Sequence, residues 1–390
     1  MIFLWVRGCA VTPANILLAR PNRFEIDLDA ISYNTREVRR IVGAGPAVFA
    51  ALKANAYGFG LLEVARTVLS SGANALAMTD LRDAIRIREH RINAPILLYG
   101  GNLPNADTAA ALAQHDIMPT ISDYASAEAF SRLALLPIRV FVKVDVGAGR
   151  LGVLPAEAVS LVRAVHGLPR LSLQGIYTHM HIPAGDGVEK YATWQFRKLQ
   201  KVIEQLESQG IPVPVKMAAS TSVLLLCPGM ELNAVDPGHM LYGLIPPGRV
   251  VVRPDLRPAF RSLKSRLIHL KPFSREDFRD QTPFPIQEGM RVGVLPIGLS
   301  DGMRFLNCGQ VLIRGRRMSI LGVPSLEHTR LDLTDLPEAE VGDEVVIIGE
   351  QEDAQISPEE VIARNGLKIA ELALAVQESV PRVYLKREQL

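Results

Sequence analysis

From about residue 23 to residue 245, short apolar or β-branched runs alternate with stretches of helical periodicity. That alternation restricts the fold more than any other feature. The runs are FEIDLD, VFAAL, ALAMT, ILLYG, IMPTIS, RVFVKVD, LQGIYTH, VPVKMA and ELNAV. Between them lie amphipathic stretches such as LLEVARTVLSSG, closed by Gly72, DLRDAIRIREH, opened by Asp80, and VEKYATWQFRKLQKVIEQLESQG. Strand and helix in strict succession build a parallel sheet, and eight or nine strands exceed what a small doubly wound domain holds. The pattern predicts an α/β chain with a (β/α)8 TIM-type barrel over residues 21–250.

After IPPG the texture changes. RVGVLPIGL, GQVLIRGRRMSILGV and VGDEVVIIGE are rich in valine and isoleucine, with turns and almost no helical periodicity, which predicts a mostly-β domain over 251–390. The proline-rich IPPGRVVVRPDLRP is the expected linker. Two domains suit a chain of 390 residues with 48% hydrophobic content, more than one core usually organises.

Charge and cysteine usage exclude several functions. A net charge of +2, without a basic block, argues against a nucleic-acid partner. Cys9, Cys227 and Cys308 are far apart and lack C-x-x-C spacing, so neither a disulfide framework nor a zinc site is expected. The apolar start MIFLWVRGCAVTPANILLAR is broken by Arg7 and has no charged lead-in, against a signal peptide, and no run is long enough to span a bilayer. A cytoplasmic protein without membrane partners is expected.

Polar residues stand at the downstream ends of the apolar runs: Lys53 after VFAAL, Arg150 after RVFVKVD, His179 after LQGIYT, and Ser220 and Thr221 after VPVKMA. In a barrel those ends converge on one face, where active sites form. Capping of the following helices is the alternative role for each. Lys53 is the most pointed of them, because an amine desolvated at a strand end loses basicity and can attack a carbonyl to form an imine. Snorkelling to solvent is its other option.

ALKANAYGFG, residues 51–60, resembles the pyridoxal-phosphate attachment motif of alanine racemases. EIDLDAISYNTREVRR, VFVKVDVGAGRLG, GIYTHM, DPGHMLYG, LPIGLSDGM, DLTDLPEAEVGDEVVIIG and VPRVY resemble that family's landmarks in the same order, across residues 21–385. The resemblance implies a homodimer of barrel-plus-β-domain chains that binds pyridoxal 5'-phosphate and acts on a small amino acid. It makes Lys53 the residue that holds the cofactor and serves as base on one face of the substrate. Tyr57 would bind the phosphate. Thr221, beside Ser220, stands where the family has a phosphate-binding serine, and the N–H groups of Gly238 and His239 would complete an anion cradle. Arg150 would pair bidentately with the substrate carboxylate. Lys143 matches a lysine that is carbamylated in the family and braces that arginine; an outward-facing strand lysine is the alternative. His179 would lie against the cofactor ring. His181 has no counterpart and reads as a polar loop residue.

Five residues depart from the family's pattern. Leu299 replaces the tyrosine that serves as second base across the dimer interface, and leucine can neither take nor give a proton. Asp236 replaces an arginine beside the pyridine nitrogen, and a carboxylate there favours the protonated ring, a stronger electron sink. Leu326 and Glu327 replace a Met-Asp pair at the substrate carboxylate, where leucine can still offer its backbone N–H. Ala370 replaces a tyrosine that packs on the phosphate. The expected function is therefore a pyridoxal-phosphate-dependent amino-acid racemase, its second proton supplied by water, by His179 or by the partner subunit's His328. The alternatives are a decarboxylase, transaminase or aldolase-type enzyme on the same scaffold, or a catalytically impaired cofactor-binding homologue.

Overall fold

The computed structural model describes residues 5–6, 9–10, 20–183, 185–274, 276, 284–307, 309–368 and 370–386. Cys308, the Cys9 side chain and most of the apolar N-terminal stretch lie outside the described residues; Cys227 is buried. The chain divides into two compact units, Ala30–Arg257 and a second of residues up to Asp29 with those from Pro258 onward.

The first run, β1 (Arg23–Asp27), leads into helix α1 (Leu28–Val42). The eight strands of a closed parallel barrel follow: β2 (Ala47–Ala51), β3 (Ala75–Met78), β4 (Ile96–Leu98), β5 (Ile117–Ile121), β6 (Ile138–Lys143), β7 (Leu171–Tyr177), β8 (Val215–Ser220) and β9 (Ala234–Asp236). β9 closes the ring on β2 through the pairs Ala234–Ala47 and Val235–Val48. The barrel interior is filled by Phe49, Leu97, Met118, Phe141, Tyr177 and Met217 packed against the small Ala75, Ala77 and Ala234. Large residues against small ones are what a closed barrel's layers need. The intervening helices include Leu61–Ser70 and Leu81–Glu89, the latter capped by Asp80, whose carboxylate accepts the Arg82 N–H.

One strand of the sequence reading belongs elsewhere. FEIDLD is not a barrel strand: β1 pairs antiparallel with β10 (Phe260–Arg266) and parallel with β18 (Arg382–Leu385). Its pattern gives the reason. Phe24 and Ile26 are buried while Arg23, Glu25 and Asp27 are half-exposed, an alternation proper to a sheet wet on one face. Barrel strands such as β3 and β5 are buried at every position.

In the second unit, a seven-stranded sheet runs β14 (Arg316–Ser319), β13 (Gln310–Ile313), β16 (Glu344–Gln351), β10, β1, β18, with β17 (Ala354–Ile356) paired to β16. A three-stranded sheet joins β11 (His269–Phe273), β12 (Met290–Leu295) and β15 (Thr329–Asp332). Among the described residues the helices of this unit are short, Pro358–Asn365 and Glu371–Ala375 plus single turns of 3-10 helix. The mostly-β texture is as expected. No helix of the described residues is long and apolar enough to cross a membrane.

Candidate active site at the barrel mouth

The C-terminal ends of the barrel strands enclose a cavity of about 430 Å³. Its walls include Lys53, Tyr57, Tyr99, Lys143, Arg150, Tyr177, His179, Ser220, Thr221, Ser222, Asp236, Gly238 and His239. The barrel residues singled out from the sequence thus meet around one space, although they come from five different strand ends.

Lys53 follows β2 and opens a turn of unusual hand. Ala54, Asn55, Ala56 and Tyr57 have φ of 53°, 52°, 55° and 55°, the left-handed region that costs an L-residue roughly 1–2 kcal/mol each. Local bonds hold it: the Asn55 carbonyl accepts the N–H groups of Gly58 (3.2 Å) and Gly60 (3.0 Å), and its side-chain oxygen accepts the Leu61 N–H at 2.8 Å. The result sets the Lys53 ammonium 5.7 Å from the Tyr57 ring centroid. Burial holds Lys53 below its ordinary basicity, with Asp236 opposing and Arg150 reinforcing the effect. No carboxylate pairs with Lys53 among the described residues.

Tyr57 is buried between Tyr242 and His239, with ring centroids at 5.0 and 5.4 Å. Burial, with the Asp236 charge adding to it, pushes its phenol up, so it stays a proton donor. Its hydroxyl reaches the backbone of Gly238 so closely that a Cβ there would stand 2.5 Å from Oη. Thr221 is buried and its Oγ1 accepts the N–H groups of Gly238 (3.0 Å) and Met240 (3.3 Å). The Gly238 N–H is therefore engaged within the chain, and it differs in this from the free cradle donor expected. The Thr221 hydroxyl proton and the Tyr57 phenol are donors in this corner, beside the Ser220 and Ser222 hydroxyls of the same wall.

The loop after β6 is organised by a residue the sequence reading passed over. Asp145 Oδ1 accepts from Gly147 N (3.0 Å) and Ala148 N (2.7 Å), and Oδ2 from Arg150 N (2.8 Å). Burial works to raise its pKa, but these N–H groups hold it below the usual carboxylate range. The Arg150 side chain is exposed, with no ion-pair partner among the described residues. Lys143 is buried, 5.6 Å from the Tyr177 ring centroid, and no carboxylate pairs with it among the described residues. Burial first, then Arg150, lowers its pKa. Burial and the same cations hold His179 at about 3, so its imidazole is neutral.

Among the described residues Asp236 is the one acidic side chain of the cavity wall. Its Oδ2 accepts the Tyr99 hydroxyl at 2.8 Å, while Oδ1 is buried and has no hydrogen-bond partner among the described residues. Burial pushes it up to about 6 against the pull of Tyr99, Lys53 and Lys143. Tyr99 was missed from the sequence because it stands inside the run ILLYG; the structure ends the strand at Leu98 and so puts Tyr99 just past a strand end, as Lys53 is past its own. Leu299 and Leu326 belong to the other unit. There Leu326 is 70% exposed and its carbonyl accepts the Ser300 N–H at 2.9 Å.

The donor set suits pyridoxal phosphate on observations of this chain. An orphaned, buried carboxylate oxygen matches a protonated ring nitrogen, a desolvated amine matches the aldehyde, and Tyr57, Thr221 and the bare Gly238 backbone make an anion corner. The excess of Lys53, Lys143 and Arg150 over one carboxylate suits the negative charge of a phosphate and an amino-acid carboxylate.

Comparison with known proteins agrees in both halves of the chain. The alanine racemase N-terminal domain family matches residues 26–246 and the alanine racemase C-terminal domain family residues 262–384. An alanine racemase of Halothermothrix orenii is 32% identical over 376 residues, covering 95% of this chain and 98% of the relative. One from Methanococcus maripaludis is 34% identical over 381 residues, covering 95% and 100%. A crystal structure of alanine racemase from Bacillus anthracis with bound L-Ala-P matches with a TM-score of 0.85 at 28% identity, over 95% of this chain and 96% of the other.

Proposed function

This chain belongs to the alanine racemase family, and on that premise we propose that it is a pyridoxal-phosphate-dependent amino-acid racemase with its active site at the barrel mouth. The observation that carries the reading is the unpaired, desolvated Lys53 amine sharing one cavity with the orphaned oxygen of Asp236. When bound, the cofactor supplies a carbonyl that links to an amine and a ring that takes up the electron pair left by the departing α-hydrogen.

The chain supplies the rest. Lys53 is the attachment residue, and its Nζ takes the α-proton on one face. Tyr57, Ser220, Thr221 and the Gly238–His239 segment would hold the phosphate, Thr221 through its hydroxyl, and Asp236 would serve the ring nitrogen. Arg150 pairs with the substrate carboxylate, held by the Asp145-capped loop. Lys143, buried with no carboxylate paired to it among the described residues, has a motive for carbamylation, since an uncharged or anionic group beside Arg150 removes the repulsion. His179 would lie against the ring as a neutral imidazole; held at about 3, it carries no extra proton to give at neutral pH, so the second proton would come more readily from water. In the homodimer that the family likeness suggests, Leu326 offers its backbone N–H to the substrate. The reducing habit of three scattered cysteines supports a cytoplasmic enzyme.

A second reading rests on Leu299 and Asp236. Without the tyrosine, and with a carboxylate at the ring nitrogen, decarboxylation, transamination or aldol cleavage competes with racemisation. The deciding experiment incubates cofactor-loaded protein with L-alanine, L-serine and L-lysine in D2O. α-Deuterium exchange with formation of the D-enantiomer supports the racemase; the absence of both refutes it. Release of CO2, an aldehyde or pyridoxamine phosphate assigns the second reading. Borohydride reduction followed by peptide mapping tests attachment at Lys53 independently of the reaction.

A further inference from the structure

We propose that Tyr99 is a positioning residue that fixes Asp236 so that a single carboxylate oxygen is left for the cofactor's ring nitrogen; the proposal rests on the pyridoxal-phosphate reading above. Tyr99 directly follows β4, and Asp236 ends β9, with β2 and β3 lying between them in the barrel order. The hydroxyl nevertheless reaches across the mouth to donate to Oδ2 at 2.8 Å. Such a bond across two intervening strands needs a held ring. Tyr99 N–H donates to the Met78 carbonyl at 2.7 Å, and the ring packs on Tyr177 at 5.8 Å between centroids. Tyr177 is pinned in turn: Thr120 Oγ1 donates to the Leu98 carbonyl at 2.8 Å, so the Tyr177 hydroxyl is the donor in its 2.8 Å bond to Thr120.

The bond splits the two oxygens of Asp236 into different roles. Oδ2 is satisfied within the chain, whereas Oδ1 is buried and orphaned, a state that native proteins rarely keep unless a ligand completes it. An N–H donor at the ring nitrogen completes it only if Asp236 is anionic. The titratable groups facing Asp236 are Lys53 after β2, Tyr57 in the turn beyond, Tyr99 after β4, Lys143 at the end of β6 and Tyr177 at the end of β7. In the cofactor-free chain the two lysines and the Tyr99 bond favour the anion, while burial opposes it; attachment at Lys53 and carbamylation at Lys143 would take two of those three away and leave the Tyr99 bond. Removing the Tyr99 donor tips that balance. One proton then moves from the ring nitrogen to the Asp236 carboxyl, with no other atom or electron transferred, and the ring loses its positive charge.

The test uses full-length protein loaded with pyridoxal phosphate labelled with 15N in the ring, because the nitrogen's chemical shift separates protonated from unprotonated rings. Wild type is expected to hold the nitrogen protonated at pH 7.5. Tyr99→Phe should move the balance toward the unprotonated ring by roughly tenfold or more, the loss of one hydrogen bond to a charged group. A purely structural role would leave that shift unmoved. Should Tyr99→Phe fail to fold, 3-fluorotyrosine introduced at position 99 alone, a stronger donor of nearly equal volume, should move the balance the opposite way. Equal protonation with and without the Tyr99 donor overturns the proposal, as does an unprotonated nitrogen in wild type that still carries a borohydride-reducible link to Lys53. Absence of that link in wild type refutes the cofactor reading itself.

Discussion

Asp236→Asn should stabilise the cofactor-free protein at neutral pH, although it removes a group proposed to serve the reaction. The folded site pushes the Asp236 carboxyl from 3.8 up to about 6, chiefly through burial. At about 1.4 kcal/mol per tenfold change, that displacement is worth on the order of 3 kcal/mol. The sign follows from which state binds the proton. Below pH 4 the carboxyl is protonated in folded and unfolded chains alike and costs nothing through this term. As pH rises through 6 the folded chain gives up a proton that the unfolded chain has already lost, and the full cost is present above pH 7. Asparagine keeps an oxygen to accept the Tyr99 hydroxyl and carries no charge at any pH. Urea unfolding of wild type and Asp236→Asn, followed by Trp194 fluorescence in a Trp5→Phe background, measures the difference from pH 4.5 to 8. The variant should be more stable by about 2–3 kcal/mol at pH 8 and by progressively less below pH 6. A difference that does not change with pH, or a variant weaker than wild type at pH 8, would show that Asp236 is not a strained buried anion.

Other substitutions probe the same mouth. Thr221→Val strands the Gly238 and Met240 N–H groups in a buried site and should cost about 1–3 kcal/mol in urea unfolding, with Thr221→Ser restoring most of it. Gly238→Ala puts a methyl 2.5 Å from Tyr57 Oη and should weaken pyridoxal-phosphate binding at least roughly tenfold, whereas alanine at Gly167, with nothing within 4 Å, should not; equal affinities would mean that Tyr57 does not shape the phosphate corner. His179, held at about 3, stays neutral in the fold while the unfolded chain protonates near 6.5, so it contributes stability that is lost as pH falls below 6.5. His179→Gln should flatten that acid loss. Leu299→Tyr combined with Asp236→Arg should raise racemisation measured by chiral chromatography, and no gain would separate these two positions from the chain's departure from its relatives.

The barrel was legible because its strands are apolar runs set between amphipathic helices, a pattern that survives without knowledge of contacts. FEIDLD misled for a local reason: its neighbours in sequence are barrel elements, and only its period-2 alternation signalled a sheet with one wet face. Lys53, Arg150 and His179 were visible as polar residues at strand ends. Tyr99 has the same placement yet reads as part of an apolar run, because tyrosine is counted among strand formers until its hydroxyl finds a partner 137 residues away. Asp145 and the Thr221–Gly238 bond were illegible for a different cause. They are hydrogen bonds to backbone N–H groups, and no residue type announces which amide it will accept.

The two departures at Leu299 and Asp236 bear on one another through the lifetime of charge at the substrate. A dedicated second acid matters most where the carbon that has lost its hydrogen is short-lived and must be reprotonated at once on the opposite face. A ring whose nitrogen keeps its proton accepts that electron pair more readily, so the carbon waits longer and water has time to deliver the proton. In the proposed reading, the Tyr99–Asp236 bond that holds the ring charge is therefore what makes leucine tolerable where the family resemblance implies a tyrosine. The same lifetime opens the way to side reactions, since any bond to the α-carbon can break into the same electron sink. Which bond breaks is decided by alignment with the ring, and in the same proposed reading Arg150, whose backbone N–H is held by Asp145, would be the group that turns the substrate. On that reading, reaction choice divides between the depth of the sink, set at Tyr99 and Asp236, and the orientation of the carboxylate, set at Arg150.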